Sequence, residues 1–230
     1  NIRGMGDVVA TLKSILYVTF GVEAIAFIFI YMSIYNLPNM NVSEQVFFSV
    51  FHAISAFCNA GFSTFSAGMY DDALRFNYPL QLIIATTFIF GGMGFVIVVN
   101  VLRYLRYRVQ QLIYRKSQRY EYRPWLLNIN SRISLFTFVA LLVVGLLGVM
   151  VFEYNNILAD HQSFFGKLVT GFFVAASPRT AGFNSVDMGA LAFPTIMLTI
   201  FLMLIGASPN STGGGIKTST FAIALLNTLS

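Results

Sequence analysis

The sequence predicts an all-α polytopic membrane protein built from repeated units of span, half-length helix, glycine-containing loop and span. Three observations predict it. The 230 residues are 57% hydrophobic and only 10% charged, with a mean hydropathy of +0.72, against roughly 45–50% apolar and about 25% charged residues in soluble domains. Several apolar stretches reach the about 20 residues of helix that a bilayer requires. The pattern of long and short apolar segments also occurs twice: a shift of 121 residues places Phe51 on Phe172, Ala60-Gly61-Phe62 on Ala181-Gly182-Phe183, and Gly68 on Gly189. The single cysteine, Cys58, excludes a disulfide framework and any cysteine-held zinc or iron-sulfur cluster. The chain opens at Asn1 with neither Met nor a signal-peptide pattern, and reads as a fragment of a longer one.

In chain order, Ile15 to Tyr35 is a first span with Glu23 as its only charge. Phe47 to Phe57 is apolar but, at eleven residues, too short to cross; Ser43 is its expected N-cap, with Val42 and Phe47 as a hydrophobic staple. Tyr78 to Val101 is the second crossing. Between Arg103 and Arg123 lie half of all basic residues against the lone acid Glu121, which makes this loop cytoplasmic by the positive-inside rule. Ile133 to Phe152 is a charge-free span, and Phe164 to Ala176 is again too short, with Asp160 as its expected cap. Ala190 to Ile205 starts another crossing, which small residues from Gly206 to Gly215 interrupt before apolar character returns over Phe221 to Leu229. It reads as one helix broken inside the membrane. Orientation from the basic loop then gathers six of the nine acids on the outer side, a mouth that concentrates cations, although topology alone gives the same bias.

A half-length helix followed by a loop leaves carbonyls unpaired at membrane depth, which is tolerable only inside protein or beside a water-filled cavity. A central ion pore uses that arrangement: carbonyls of several loops replace an ion's hydration shell, and glycine permits the backbone to aim them. Both short helices then direct their partly negative C-terminal ends toward a cation. For a single loop, an ordinary interfacial turn is the competing reading; two alike at a fixed offset, each after a short helix, favour the pore.

Three motifs carry a resemblance: Phe57-Cys58-Asn59-Ala60-Gly61-Phe62-Ser63, Pro178-Arg179-Thr180-Ala181-Gly182-Phe183-Asn184, and Gly206 to Thr218 with its Gly213-Gly214-Gly215 run. In these, and in order and spacing over nearly the whole chain, the sequence resembles the Trk/Ktr/HKT superfamily of potassium transporters, in particular the bacterial Ktr-type membrane subunit. The resemblance implies four span, pore-helix, span units around one pore. Residues 1–101 would be the second unit, 102–125 a basic cytoplasmic linker, and 126–230 the third unit, its second span broken at about 206–217. It implies potassium at backbone carbonyls of Asn59, Ala60, Gly61, Thr180, Ala181 and Gly182, with Arg179 supporting the filter. It makes Ser208, Pro209, Asn210, Ser211, Thr212, Gly213, Gly214, Gly215 and Lys217 an intramembrane gate. It further implies a multi-pass protein of the plasma or inner membrane that takes up potassium, forms homodimers and docks a ring of cytoplasmic nucleotide-binding regulatory subunits. No covalently bound cofactor and no nucleic-acid partner are expected.

Other readings compete at single residues. The glycine-rich run is not a phosphate-binding P-loop, because Ile216 separates the last glycine from Lys217. Glu23 faces protein, either as an ion ligand or, preferred, in a structural hydrogen bond. His52 reads as a packed histidine rather than a proton relay, since no carboxylate lies at helical spacing. Arg179 is expected to turn sideways and pair with Glu153, Asp160 or Asp187. Lys217 is either a positive barrier in the path or snorkels to the interface. Topology, anionic lipid and regulatory docking all explain the basic loop. A non-conducting membrane scaffold or sensor is the alternative function; an intramembrane enzyme lacks a paired set of catalytic groups.

Overall fold

The computed structural model of the chain describes residues 2–35, 37, 40–95, 97–101, 104, 107, 109, 129–209 and 211–229. The basic linker at 102–125, apart from those three positions, and Asn210 of the glycine-rich loop lie outside the described residues. Among the described residues the helices in order are α1 (Ile2–Ile34), α2 (Val42–Phe57), α3 (Tyr78–Met93), α4 (Ile129–Glu153), α5 (Phe164–Ala176), α6 (Phe193–Leu204) and α7 (Thr218–Leu229), with further helical backbone at 97–101. Single 3-10 turns stand at Gly68–Tyr70, Ile157–Asp160 and Met188–Ala190. Among the described residues there is no strand.

Two segments, Thr11–Ile34 of α1 and Ser131–Glu153 of α4, are long and apolar enough to cross a membrane. Leu16, Phe20, Ile28 and Met32 on α1, and Phe136, Val143, Leu147 and Val151 on α4, all lie exposed. Rows of bare apolar side chains on long helices carry a penalty in water and none against lipid tails. With 16 and 13 residues, α2 and α5 fall short of a crossing.

The short helices form where expected, but their caps differ. Asn41, not Ser43, opens α2: its side chain accepts from the Glu44 N–H while the Glu44 carboxylate accepts from the Asn41 N–H, at 3.0 and 2.9 Å. The reciprocal pair satisfies two otherwise orphaned donors. It makes Val42 the first helical residue, so no staple with Phe47 forms. Ser163 opens α5 through Gly166 N–H at 2.9 Å, because a cap must directly precede the first helical residue; Asp160 sits in a 3-10 turn and pairs with Arg75 instead. The second crossing is also interrupted. α3 ends at Met93 and Gly94 takes φ 82°, after which helical backbone resumes at 97–101. Thus both helices that follow the glycine loops are broken.

In the first half α1, α2 and α3 pack on one another; in the second α4 packs on α5, α6 and α7; the contact of α3 with α5 joins them. In lipid no hydrophobic force drives helices together, so close van der Waals fit and interhelical hydrogen bonds do the joining. At the joint Phe88 meets Phe173 edge-on at 5.6 Å and lies nearly parallel to Phe183 at 6.3 Å. Thr170 Oγ1 donates to Gln81 Oε1 at 3.2 Å in a buried setting. Near the helix ends, Arg75 pairs with Asp160, and the Tyr78 hydroxyl lies 3.1 Å from His161 Nδ1.

His161, in the loop before α5, is buried. Its pKa is lowered first by that burial, then by Arg75 and by Lys167, with Asp160 acting in the opposite sense. The folded protein thus disfavours the charged ring, whereas the unfolded chain gains a proton near pH 6.5. Stability is therefore present above that value and falls, by at most about 1.4 kcal/mol per pH unit, as pH drops toward the folded pKa. Melting of the full-length protein in detergent is expected to drop between pH 7.5 and 5.5, and His161→Gln is expected to flatten that dependence; an equal drop in both would refute it.

Candidate functional site

Each short helix runs into a glycine loop, and the two loops meet. Asn59 and Gly61 have φ of 52° and 73°; Thr180 and Gly182, at the corresponding places, have 80° and 78°. Left-handed backbone suits glycine and is tolerated by asparagine. For a β-branched threonine it costs on the order of 1–3 kcal/mol, a strain that persists only where the surroundings impose it. A methyl group added to Gly61 would lie 2.8 Å from the Ala181 carbonyl oxygen and 2.9 Å from Gly182 Cα. The loops thus touch, backbone against backbone, at the two glycines singled out by the repeat. Among the described residues no three His, Cys, Asp or Glu side chains converge.

Serine hydroxyls fasten both loops. Ser55, in the last turn of α2, donates to the Phe62 carbonyl at 2.8 Å, and Ser177, capping α5, donates to the Phe183 carbonyl. In each case the acceptor directly follows the loop glycine. The serine stands seven residues before its acceptor in one loop and six in the other, so the 121-residue shift conceals the correspondence. Farther along, the Phe65 N–H donates to Ser63 Oγ at 3.2 Å, and Ser63 Oγ lies 3.1 Å from His52 Nε2. The Phe48 carbonyl, 2.8 Å from His52 Nδ1, can only accept, so Nδ1 carries the proton and Ser63 donates to Nε2. His52 is a fully buried, doubly bonded packing residue.

Arg179 pairs with none of the three expected acids. Glu153 is committed to Asn156 Nδ2 at 2.7 Å and the Ala192 N–H at 2.8 Å, Asp160 to Arg75, and Asp187 to the Gly189 N–H at 2.8 Å. The guanidinium, 4% exposed, instead donates through Nη1 to the Phe138 carbonyl at 2.9 Å and through Nη2 to the Gly206 carbonyl at 3.2 Å. It also stacks 4.0 Å over the Phe138 ring. One side chain therefore ties the second glycine loop to α4 and to the base of the break between α6 and α7.

That break, 205–217, folds back on itself. Ala207 N–H donates to the Gly214 carbonyl, Ile216 N–H to Leu204, Ser211 Oγ to Ser208 and Lys217 Nζ to Gly213. With its ammonium 2.7 Å from the Gly213 carbonyl, Lys217 is a tie within the loop. The segment lies against both glycine loops: Thr212 Oγ1 is 3.2 Å from the Phe57 carbonyl, and a methyl on Gly213 would strike Thr180 Oγ1. It also bonds carbonyls at the end of α3, Ser208 N–H donating to Gly92 at 3.0 Å and Thr212 N–H reaching Gly91, which the Gly94 N–H shares, at 3.5 Å. Glu23 is half-buried on α1. Gathered at this one place are Asn59, Ala60, Gly61, Thr180, Ala181, Gly182, Arg179 and the described part of the 205–217 segment. Ser55, Ser177 and the Gly91–Gly94 stretch join them without having been singled out by the sequence.

Residues 3–230 match the TrkH family, described as cation transport protein. The Ktr system potassium uptake protein B of Vibrio alginolyticus is 40% identical over 219 residues, covering 92% of this chain and 43% of the relative. The protein of that name from Bacillus subtilis is 32% identical over 228 residues, 98% and 46% of the two chains. The potassium/sodium uptake protein NtpJ of Enterococcus hirae is 31% identical over 195 residues, 85% and 39%. The chain thus spans less than half the length of these relatives. The crystal structure of the potassium transporter TrkH from Vibrio parahaemolyticus shares the fold, with a TM-score of 0.64 over 96% of this chain and 40% of that one at 21% identity. Family match, all-helical fold and exposed apolar spans agree, and the chain belongs to the TrkH family of cation transport proteins, which makes it a membrane protein and not an enzyme.

Proposed function

We propose that the full-length protein takes up potassium across the cell membrane, and that Asn59, Ala60, Gly61, Thr180, Ala181 and Gly182 offer the ion their backbone carbonyls. The observation that carries this reading is the meeting of Gly61 and Gly182, each in left-handed backbone at the C-terminal end of a half-length helix. Such helix ends carry roughly half a negative charge each, and carbonyls held rigidly beside them can replace water around a cation. Relatives named as potassium uptake proteins support potassium as the ion.

In the same reading Arg179 supports the filter and the 206–217 segment, Ser208, Pro209, Asn210, Ser211, Thr212, Gly213, Gly214, Gly215 and Lys217, is the gate; its contact with both loops supports this. The chain is then the second and third of four units, 1–101 and 126–230, in a multi-pass plasma- or inner-membrane protein. A homodimer docked on a ring of nucleotide-binding regulatory subunits completes the proposal, supported by the Ktr-system names of the relatives. The ion is cargo, held by no cofactor. Proteoliposomes carrying the full-length protein are expected to accumulate rubidium, a potassium surrogate, in a manner blocked by excess potassium and little affected by equal sodium. Absence of uptake, with the protein inserted, would favour a non-conducting scaffold or sensor; equal block by sodium would refute potassium selectivity.

A further inference from the structure

Resting on that ion-path reading, we propose that Asn59 and Thr212, one from each half, are positioning residues that latch the 205–217 segment against the first glycine loop, and that opening begins when the Thr212 hydroxyl is released. Turned so that its donors meet acceptors, the Asn59 amide donates to the Phe88 carbonyl at 3.1 Å. Its oxygen accepts from the Gly92 N–H at 3.1 Å and from Thr212 Oγ1 at 2.6 Å. The Phe57 carbonyl, 3.2 Å away, is a second acceptor for the same hydroxyl. One side chain of the glycine loop therefore grips the last turn of α3 and the broken span of the other half at once.

The remaining bonds show why this contact controls the segment. Within 205–217 the ties from Ala207, Ser211 and Lys217 are internal. The Ile216 N–H to Leu204 and the Thr218 N–H to Ala207 anchor its two ends to α6 and α7 of its own half, so the segment moves against the first half with those two helices as its hinges. Among the described residues its hydrogen bonds to the first half are Ser208 N–H to Gly92, the long Thr212 N–H to Gly91, and the Thr212 side chain. Two of the three converge on Thr212. Because Gly94 ends α3, the Gly92 carbonyl is left to the Ser208 N–H, while the Gly91 carbonyl accepts from the Gly94 N–H at 3.4 Å as well as from Thr212. Latch and helix break are parts of one device, and a hydroxyl bond in competition with water is weak enough to open without unfolding its surroundings.

The test uses the full-length protein in liposomes, with Ser208→Cys as a buried probe in a background without other cysteines. Ser208 is 1% exposed, so its reaction with a membrane-impermeant thiol reagent reports release of the segment independently of conduction. Thr212→Val, which keeps shape and removes the hydroxyl, is expected to raise the labelling rate about fivefold, the shift from losing one net hydrogen bond. It is expected to raise rubidium uptake in the same direction with the potassium-to-sodium ratio unchanged. Thr212→Ser, which keeps the hydroxyl, is expected to label as slowly as the parent. Labelling that Thr212→Val leaves unchanged overturns the latch whatever the flux. If Thr212→Val does not survive purification, Thr212→Ala takes its place with the same expected result. A parent protein that carries no rubidium refutes the ion-path reading, while the labelling still decides whether the contact holds the segment.

Discussion

Gly61→Ala in the full-length protein is expected to lower potassium uptake more than about tenfold and to narrow the potassium-to-sodium ratio, while the protein still reaches the membrane. Left-handed backbone alone costs an alanine about 1–2 kcal/mol relative to glycine, and each 1.4 kcal/mol is about tenfold in a population. The new methyl would also stand 2.8 Å from the Ala181 carbonyl oxygen. One of the two loops must shift, and the carbonyls proposed to hold the ion turn with it. Gly182→Ala is expected to do less harm, because its methyl would meet Gly61 Cα at 3.4 Å, near ordinary contact, with φ 78° as its main burden. Gly21→Ala, in α1 with nothing within 4 Å, serves as the control. Rubidium uptake normalised to inserted protein ranks the three, and an unchanged rate and ratio for Gly61→Ala would refute the role given to the loops.

Arg179→Gln is expected to destabilise the fold by about 2–6 kcal/mol, since two buried carbonyls lose a charged donor at about 1–3 kcal/mol each, with the stack on Phe138 lost besides. The acceptors, Phe138 and Gly206, lie on different elements, so the substitution frees the second glycine loop and the base of the 205–217 segment together. Arg179→Lys restores the charge but not the fork that reaches two carbonyls, and is expected to recover less than half of the loss. Thermal melting in detergent reads the first effect and rubidium uptake the second. A Lys variant equal to the parent in both would mean that charge, not geometry, is what Arg179 contributes.

The parts of this molecule that were legible in the sequence are those governed by apolar length. The bounds of α5 coincide with the predicted Phe164 to Ala176, and the split of the last crossing into α6 and α7 follows from the small-residue run. Choices among neighbouring polar residues were harder to read. Asn41 and Ser43 are both good caps, and only Glu44 three residues after Asn41 distinguishes them, a signal present in the sequence. Gly94 lies in an otherwise apolar run, whose length predicts one continuous crossing even though glycine is a poor helix former; its φ of 82° becomes intelligible once the carbonyls of Gly91 and Gly92 are seen to serve the 205–217 segment. Arg179 was expected to seek an acid, but burial beside the ends of broken helices offers orphaned carbonyls, and the nearby acids have other donors. The contact of Asn59 with Thr212 spans 153 residues and no local pattern announces it.

Where the permeant ion rests is the most direct question to put to the two glycine loops. Anomalous diffraction from crystals of the full-length protein with thallium in place of potassium would locate it. A peak bordered by the carbonyls of Asn59 to Gly61 and Thr180 to Gly182, weakened by excess potassium, is the expected result. A thallium-conducting protein whose peaks lie away from both loops would contradict it.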